Sequence, residues 1–237
     1  MKKIISSLKE HLEDFSTLIY PNLCLCCNEA LVKQEKHFCT PCAIGLPRTY
    51  YHLASINPVE QLFWGRVKIE RATSYFLYQK GSKYQKLLHQ LKYRGNQNVG
   101  VELGRMFAVD LNEVNYFAGV DYIVPVPLHP RKKRKRGFNQ SEAVASGMQH
   151  VLQKEIIALN LKRRHYTSTQ TRKGRFERWE NVQDLFIQKD PEIFEGKHIL
   201  MVDDVVTTGS TLEACAHAVL KSYGAKVSVA TLAYAVI

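Results

Sequence analysis

The segment from Ile199 to Thr211 constrains the fold of this 237-residue chain more than any other part. It reads ILMVDDVVTTGST, an apolar run that leads through two aspartates and two valines into hydroxyl residues around Gly209. The apolar run predicts a buried strand, residues 211–223 predict a helix that ends at Gly224, and residues 226–236 predict a second buried strand. A β–α–β unit of this kind implies a parallel sheet with a right-handed crossover, so we expect an α/β fold.

The loop after the first of these strands has the properties of a phosphate site. Ligands of open α/β sheets bind at the carboxyl ends of strands, and a helix N-terminus attracts anions through its free N–H groups. Gly209 lets the backbone approach an anion closely. Hydroxyl donors surround it at Thr207, Thr208, Ser210 and Thr211. Asp203 and Asp204 would repel phosphate, so we expect them to face ribose hydroxyls or a magnesium ion. The alternative is an ordinary capped helix with Ser210 or Thr211 at its N-cap.

This motif resembles the signature of type I phosphoribosyltransferases, which bind phosphoribosyl pyrophosphate (PRPP). The resemblance implies a parallel sheet flanked by helices. It also implies that Asp203 and Asp204 form the catalytic acid pair, binding the ribose 2′ and 3′ hydroxyls with Mg²⁺ nearby. The loop that follows is implied to hold the 5′-phosphate. With the two acids, the implied PRPP-binding residues are Val205, Thr207, Thr208, Gly209, Ser210 and Thr211.

A second segment, Val124–Ser141, reads VPVPLHPRKKRKRGFNQS. We expect a short buried strand over 122–126, a basic loop over 131–136 and a helix from Asn139. The segment resembles the "PVP…RGFNQ" stretch of ComF proteins, a bacterial competence family, and implies a loop that grips pyrophosphate. The implied pyrophosphate-loop residues are Pro127, Leu128, His129, Arg131 and Arg136. Guanidinium groups suit this task because they bind phosphate oxygens in pairs. The run Lys132–Lys135 fits equally a solvated loop or one that contacts nucleic-acid backbones, and Arg136 a structural turn contact.

The cysteine pairs Cys24-x2-Cys27 and Cys39-x2-Cys42 predict an N-terminal zinc module, because four thiolates suit a tetrahedral zinc ion. Cys26 is a spare that can compete with Cys24 or Cys27, and His37 is a less favoured substitute. The alternative is a redox or unliganded cysteine cluster. Many ComF proteins carry a four-cysteine module at this place, so the resemblance extends over nearly the whole chain.

The remaining patterns complete the division of the chain. Residues 1–20 predict an amphipathic helix, 21–50 the zinc module and 51–237 the phosphoribosyltransferase domain. Within that domain we expect strands over 71–79 and 156–161 and helices over 83–93 and 98–111. Residues 163–182 are polar and aperiodic, which predicts a flexible loop. Their "T..Q…R..NV" pattern resembles the ComF hood loop, implying a lid that closes over PRPP; a solvated linker is the alternative.

The charge and composition of the chain limit the classes of partner that we expect for it. The net charge of +11 favours anionic partners without choosing among phosphorylated metabolites, nucleic acid and membrane surfaces. No apolar run is long enough to span a membrane, and charges follow the N-terminus where a secretory segment would be apolar. We therefore expect a cytoplasmic protein, where free thiols persist and cysteine clusters bind metal.

Two functions follow from these patterns. The first is a phosphoribosyltransferase of the ComF type, linked to natural competence and DNA uptake, that transfers phosphoribosyl to an unidentified acceptor and releases pyrophosphate. It would use structural Zn²⁺ and bind Mg²⁺ with PRPP. The second is a catalytically silent module that binds PRPP and single-stranded DNA and partners a competence DNA translocase or helicase. The acid pair does not discriminate between them, because PRPP binding alone also needs it.

Overall fold

The computed structural model describes residues 21–163 and 185–235. The helix expected over 1–20 lies outside these residues, as does nearly all of the loop expected over 163–182. Within the described ranges, no helix combines the length and the apolar character needed to cross a bilayer.

A five-stranded sheet, parallel throughout, forms the centre of the molecule and confirms the predicted α/β fold. The strands in chain order are β1 (Ala72–Tyr78), β2 (Tyr122–Pro125), β3 (Glu155–Ile156), β4 (Leu161–Arg163), β5 (Phe186–Gln188), β6 (His198–Val206) and β7 (Lys226–Ala235). The sheet order is β1-β7-β6-β2-β3, while β4 and β5 pair separately as an antiparallel ribbon. β6 and β7 are therefore neighbours, as the predicted β–α–β unit requires.

Two strand boundaries differ from the prediction. β6 continues through both aspartates to Val206, because its pairing with β7 persists to Val206 opposite Tyr234. The single strand expected over 156–161 is two short strands instead. Asn160 divides them: its side chain accepts from the Asp190 N–H at 2.8 Å and donates to the Asp190 carbonyl at 2.9 Å, drawing β4 to β5.

Helices cover both faces of the sheet. They are α1 (Thr40–Ile44), α2 (Pro58–Gln61), α3 (Gln85–Tyr93), α4 (Gln97–Glu113), α5 (Pro130–Arg136), α6 (Gln140–Leu152) and α7 (Ser210–Val219), with 3₁₀ turns at Tyr51–Leu53 and Pro191–Phe194. Leu200 and Val202 of β6 pack with α3, α4 and α6, whereas Ile199 and Met201 pack with α7. Alternate residues of one strand thus serve two apolar layers.

The basic segment after β2 is a helix, α5, and not the loop that the sequence predicted. Pro130 occupies its first turn, where a missing N–H costs nothing, and His129 caps it by accepting the Arg131 N–H at 3.2 Å. Gly137 ends it with a φ of 83°, donating its N–H to the Lys133 carbonyl at 2.8 Å. These end signals outweigh the absence of an apolar face, and α5 buries none of its residues.

Helices α4 and α6 approach each other closely, which fixes the start of α6 beside β6. Gly147 and Gly104 make this approach possible. A Cβ built on Gly147 would lie 2.0 Å from the Val101 carbonyl oxygen, and one on Gly104 would lie 2.3 Å from the Val144 carbonyl oxygen. The two backbones therefore pack with no side chain between them at these points.

Candidate active site

Asp203 and Asp204 lie near the carboxyl end of β6, and residues from two helices reach them. Ser141, at the start of α6, donates its hydroxyl to Asp203 Oδ1 at 2.8 Å, and the Asp204 N–H donates to the same oxygen at 2.9 Å. Lys92 of α3 places its Nζ 3.1 Å from Asp204 Oδ2. Asp204 Oδ2 is buried, and its polar contact among the described residues is this ion pair with Lys92. A ligand hydroxyl or a hard cation that bound this oxygen would have to share it with the ammonium group of Lys92 or displace that group.

The pKa of Asp203 is raised to about 7, chiefly by burial and secondly by the negative charge of Asp204. The hydrogen bonds from Ser141 and from the Asp204 N–H, and the charge of Lys92, oppose this rise without cancelling it. The side chain therefore titrates near neutral pH. A ligand that donates hydroxyl hydrogens to it would favour the ionised form.

The backbone from Asp203 to Leu212 curves around a small hollow of about 80 Å³. The hollow is lined by Asp203, Val205, Val206, Thr207, Thr208, Gly209, Ser210, Thr211 and Leu212. Gly209 has a φ of 75° and is the N-cap of α7, with no side chain capping the helix; Ser210 and Thr211 already belong to its first turn. The alternative of a Ser210 or Thr211 cap is therefore not the arrangement found. The Thr208 and Ser210 hydroxyls contact each other at 3.0 Å.

Arg66 is a contact of this loop that the sequence analysis did not identify. It lies after α2, and its Nη1 donates to the Thr208 carbonyl at 2.8 Å and to the Leu62 carbonyl at 2.9 Å. Its Nη2 pairs with the Glu213 carboxylate in the first turn of α7. No motif surrounds Arg66, and 142 residues separate it from Thr208. Only the tertiary fold reveals the contact.

The predicted pyrophosphate-loop residues follow β2 at the same edge of the sheet, because β2 pairs with β6 up to Pro125 opposite Val202. Pro127, Leu128 and His129 are half-buried there, while Arg131 is exposed. Arg136 donates to Gln140 Oε1 at 2.7 Å, and its guanidinium lies 5.8 Å from the centre of the Tyr93 ring.

Asn139 fastens this segment to the sheet. Its side chain donates to the Val126 carbonyl at 2.9 Å and caps α6 by accepting the Ser141 N–H at 3.2 Å. The same residue therefore sets the path of the chain after β2 and the position of the serine that binds Asp203.

The N-terminal cysteines form a compact cluster. The sulfur atoms of Cys24, Cys27, Cys39 and Cys42 all lie within 4.8 Å of one another, and Cys27 and Cys39 are 3.6 Å apart. Sulfurs around a tetrahedral zinc ion with bonds of about 2.3 Å lie roughly 3.8 Å apart, so the spacing fits that ion. Neither Cys26 nor His37 belongs to this cluster.

The thiol pKa values do not separate the four clustered cysteines from Cys26, because burial also raises the pKa of Cys39 to about 12 and that of Cys42 to about 11. Burial alone would raise the pKa of the Cys24 thiol. Hydrogen bonds from the backbone N–H groups of Cys27, Cys39 and Cys26 outweigh this effect and lower the pKa to about 6. The Cys26 and Cys39 N–H groups lie 3.4 and 3.3 Å from that sulfur. Burial raises the pKa of Cys26 to about 12 as well, so Cys26 differs from the four in the position of its sulfur outside the cluster and not in its acidity.

The parallel sheet, the acid pair and the loop define a type I phosphoribosyltransferase fold. The family model described as "Phosphoribosyl transferase domain" matches residues 133–236. The chain is 30% identical over 210 residues to the "DNA utilization protein YhgH" of Escherichia coli K12, covering 87% of this chain and 88% of that protein. It is 28% identical over 217 residues to the "Competence protein ComFC" of Bacillus subtilis 168, covering 89% and 83%. The chain therefore belongs to the ComF-like family of type I phosphoribosyltransferase proteins.

A solved structure with a similar arrangement is the glutamine PRPP amidotransferase from B. subtilis complexed with ADP and GMP. It is 19% identical, with a TM-score of 0.42. The likeness covers 57% of the present chain and 26% of that protein, so this chain spans about a quarter of its length.

Proposed function

We propose that the protein binds PRPP at the edge formed by β6, the loop after it and α7. The observation that carries this proposal is the acid pair next to a hollow lined by backbone and hydroxyl groups. Asp203 and Asp204 accept the ribose hydroxyls, while the residues from Thr207 to Thr211 surround the 5′-phosphate. Preorganised N–H groups at a helix start stabilise such a group strongly because they need no rearrangement.

The reaction we propose transfers phosphoribosyl to an acceptor. The bond between the anomeric carbon and pyrophosphate breaks, pyrophosphate departs with the electron pair, and the acceptor's lone pair forms the new bond before the acceptor loses its proton. The sugar passes through an oxocarbenium-like state, as in other glycosyl transfers. Mg²⁺ bound with PRPP would neutralise charge on the departing pyrophosphate. Residues 127–131 and Arg136 hold that group, and catalysis depends on holding the leaving group more than on proton transfer.

Pyrophosphate release tests this proposal. The protein is incubated with PRPP and Mg²⁺, alone and with ammonia, glutamine or candidate bases as acceptors. We expect release above that of an Asp203→Ala/Asp204→Ala variant. Glu195→Ala, an exposed acid away from the loop, serves as the control and should behave as the wild type. PRPP binding without release in the wild type would leave a binding module and remove the enzyme.

A second candidate, a binding module for single-stranded DNA in natural competence, is favoured by helix α5. Its positions 131–136 are all Arg or Lys, and five of them are exposed. The names of the ComFC and YhgH relatives, which refer to competence and DNA utilization, point the same way. A competence DNA translocase or helicase is then the expected protein partner, in the cytoplasm.

Salt dependence tests this second function. Phosphate contacts release counterions, so the affinity for an oligonucleotide should fall steeply as salt rises. Lys132→Ala/Lys135→Ala should reduce the slope of log affinity against log salt by about 1–2. The matched control is Lys36→Ala/Lys80→Ala, which removes the same charge elsewhere. Equal slopes in the two variants would exclude α5 as the DNA-binding surface.

We also propose that Cys24, Cys27, Cys39 and Cys42 hold a structural zinc ion. The spacing of the four sulfurs supports this assignment. An ion at this position would link the segment around Cys24 to the start of α1. Cys24, Cys39 and Cys42 are buried in the same apolar core as residues of α3 and α4. Such an ion contributes folding free energy of about 10–16 kcal/mol in small modules.

A further inference from the structure

The guanidinium of Arg66 links two segments: residues 207–211, called here the phosphate loop because the proposed function places the 5′-phosphate there, and residues 62–63, which pack against it. Nη1 donates to the Leu62 and Thr208 carbonyls together, at 2.9 and 2.8 Å. Behind the loop, a Cβ on Gly209 would lie 3.1 Å from Phe63 Cε1 and 3.5 Å from Leu62 Cβ. Residues 62–63 and 208–209 are therefore in direct contact. One nitrogen of Arg66, Nη1, donates hydrogen bonds to a carbonyl of each segment.

Arg66 also pairs with Glu213, a carboxylate whose negative charge would oppose the binding of an anion at the start of α7. Glu213 lies in the first turn of α7, the end of the helix at which the phosphate is expected to bind. A carboxylate there stabilises the empty helix through the helix dipole but repels a bound phosphate. The Glu213 side chain is only 16% exposed, so water screens its charge poorly. Arg66 Nη2 contacts Glu213 Oε2 directly and lies 3.4 Å from the Ser210 hydroxyl.

We propose that Arg66 is a positioning residue of the phosphate loop, with two effects. It holds the Thr208 carbonyl outside the hollow, so that this oxygen cannot turn toward the phosphate. It also cancels the charge of Glu213, so that the helix N-terminus keeps its attraction for an anion. This inference rests on the proposed PRPP site and adds a residue outside both motifs and outside the matched range 133–236.

The first test is a double-mutant cycle of ligand affinity. Dissociation constants for ribose 5-phosphate and PRPP are measured by calorimetry for the wild type, Arg66→Ala, Glu213→Gln and the double variant. Arg66→Ala should weaken both ligands by about 10- to 100-fold, since it removes charge-assisted hydrogen bonds and exposes Glu213. Adding Glu213→Gln should restore part of that loss, by about 3- to 10-fold. Arg66→Lys, which keeps the charge and loses the fork of donors, should fall between wild type and Arg66→Ala.

The control is Arg105→Ala, which breaks a more exposed Arg–Glu pair with Glu102 on α4. It should leave both affinities unchanged. Because Glu213→Gln also removes an unpaired charge that destabilises Arg66→Ala, thermal unfolding of all four proteins is measured alongside, and recovery of affinity where all four remain folded distinguishes the charge effect from instability. Unaltered affinity in Arg66→Ala, or no recovery in the double variant, overturns the proposal.

A second test needs no ligand. Amide hydrogen exchange across residues 207–212 should be faster in Arg66→Ala than in the wild type, while exchange around the four cysteines stays the same. Equal exchange at 207–212 overturns the part of the proposal that concerns the Thr208 carbonyl. A wild type that binds neither ribose 5-phosphate nor PRPP would instead remove the proposed function, and the exchange experiment would still decide whether Arg66 holds the loop.

Discussion

Lys92 Nζ lies 3.1 Å from Asp204 Oδ2, which links helix α3 to the acid pair at the end of β6. The lysine side chain is 23% exposed and the aspartate side chain 13%, so the contact is only partly screened by water. It brings a positive charge to a place where two carboxylates adjoin. The two aspartates are therefore unequal: Asp204 faces the cation, and Asp203 depends on Ser141 and backbone donors.

Replacing Lys92 by Met should move the pH dependence of ribose 5-phosphate binding to higher pH. The positive charge of Lys92 lowers the pKa of Asp203, so its removal leaves more Asp203 protonated near neutral pH. A protonated acid is a poorer acceptor for ribose hydroxyls. Affinity is measured by calorimetry from about pH 5.5 to about pH 9, which brackets the Asp203 pKa of about 7. Lys80→Met, an exposed lysine before α3, should keep the wild-type profile.

Asp203→Asn should stabilise the protein while weakening ligand binding. Burial raises the pKa of Asp203 from 3.8 to about 7, so the folded state holds this proton more tightly than the unfolded state. Wild-type stability therefore falls as pH rises from about 4 to about 7 and stays lower above. The variant has no such cost, and its free energy of unfolding should exceed that of the wild type by about 1–3 kcal/mol at pH 8.

Thermal unfolding at pH 4 and pH 8 measures this difference. The gain should nearly vanish at pH 4, where the wild-type carboxyl is protonated in the folded state and about half protonated in the unfolded state. The Ser141 hydroxyl can still donate to the amide oxygen, so that bond remains. An equal gain at both pH values would show that the effect does not come from titration of Asp203.

Local sequence predicted the β6–loop–α7 unit because its signals are contiguous: an apolar run, paired acids, Gly209 and a helix ended before Gly224. Helix α5 was missed because a run of basic residues has no apolar periodicity, and its ends depend on His129 and Gly137. Arg66 and Lys92 were missed for a different reason. Each contacts the loop or acid pair from a distant part of the chain, and nothing in the neighbouring residues encodes such a contact.

We expect the four clustered cysteines to bind zinc and Cys26 to play no part in that binding. Purified wild-type protein should contain about one zinc ion per chain by elemental mass spectrometry. Cys39→Ser should lose it and unfold the module, because a structural ion supplies much of the folding free energy of such a small unit. Cys26→Ala should keep it, since the Cys26 sulfur is outside the cluster. Loss of zinc in Cys26→Ala would instead make Cys26 a ligand.

Gly147→Ala should disturb the acid pair from a distance, through the packing of α4 on α6. The new methyl group would lie 2.0 Å from the Val101 carbonyl oxygen and 2.7 Å from the Arg105 nitrogen, both of them backbone atoms that cannot move alone. The helices must separate, which should cost about 2–4 kcal/mol of folding free energy and displace Ser141 from Asp203. Gly119→Ala is the matched control, because its methyl group would meet only His198 Nδ1, at 3.6 Å. Denaturant unfolding compares the two, and equal stability of both variants would contradict the close approach of α4 and α6.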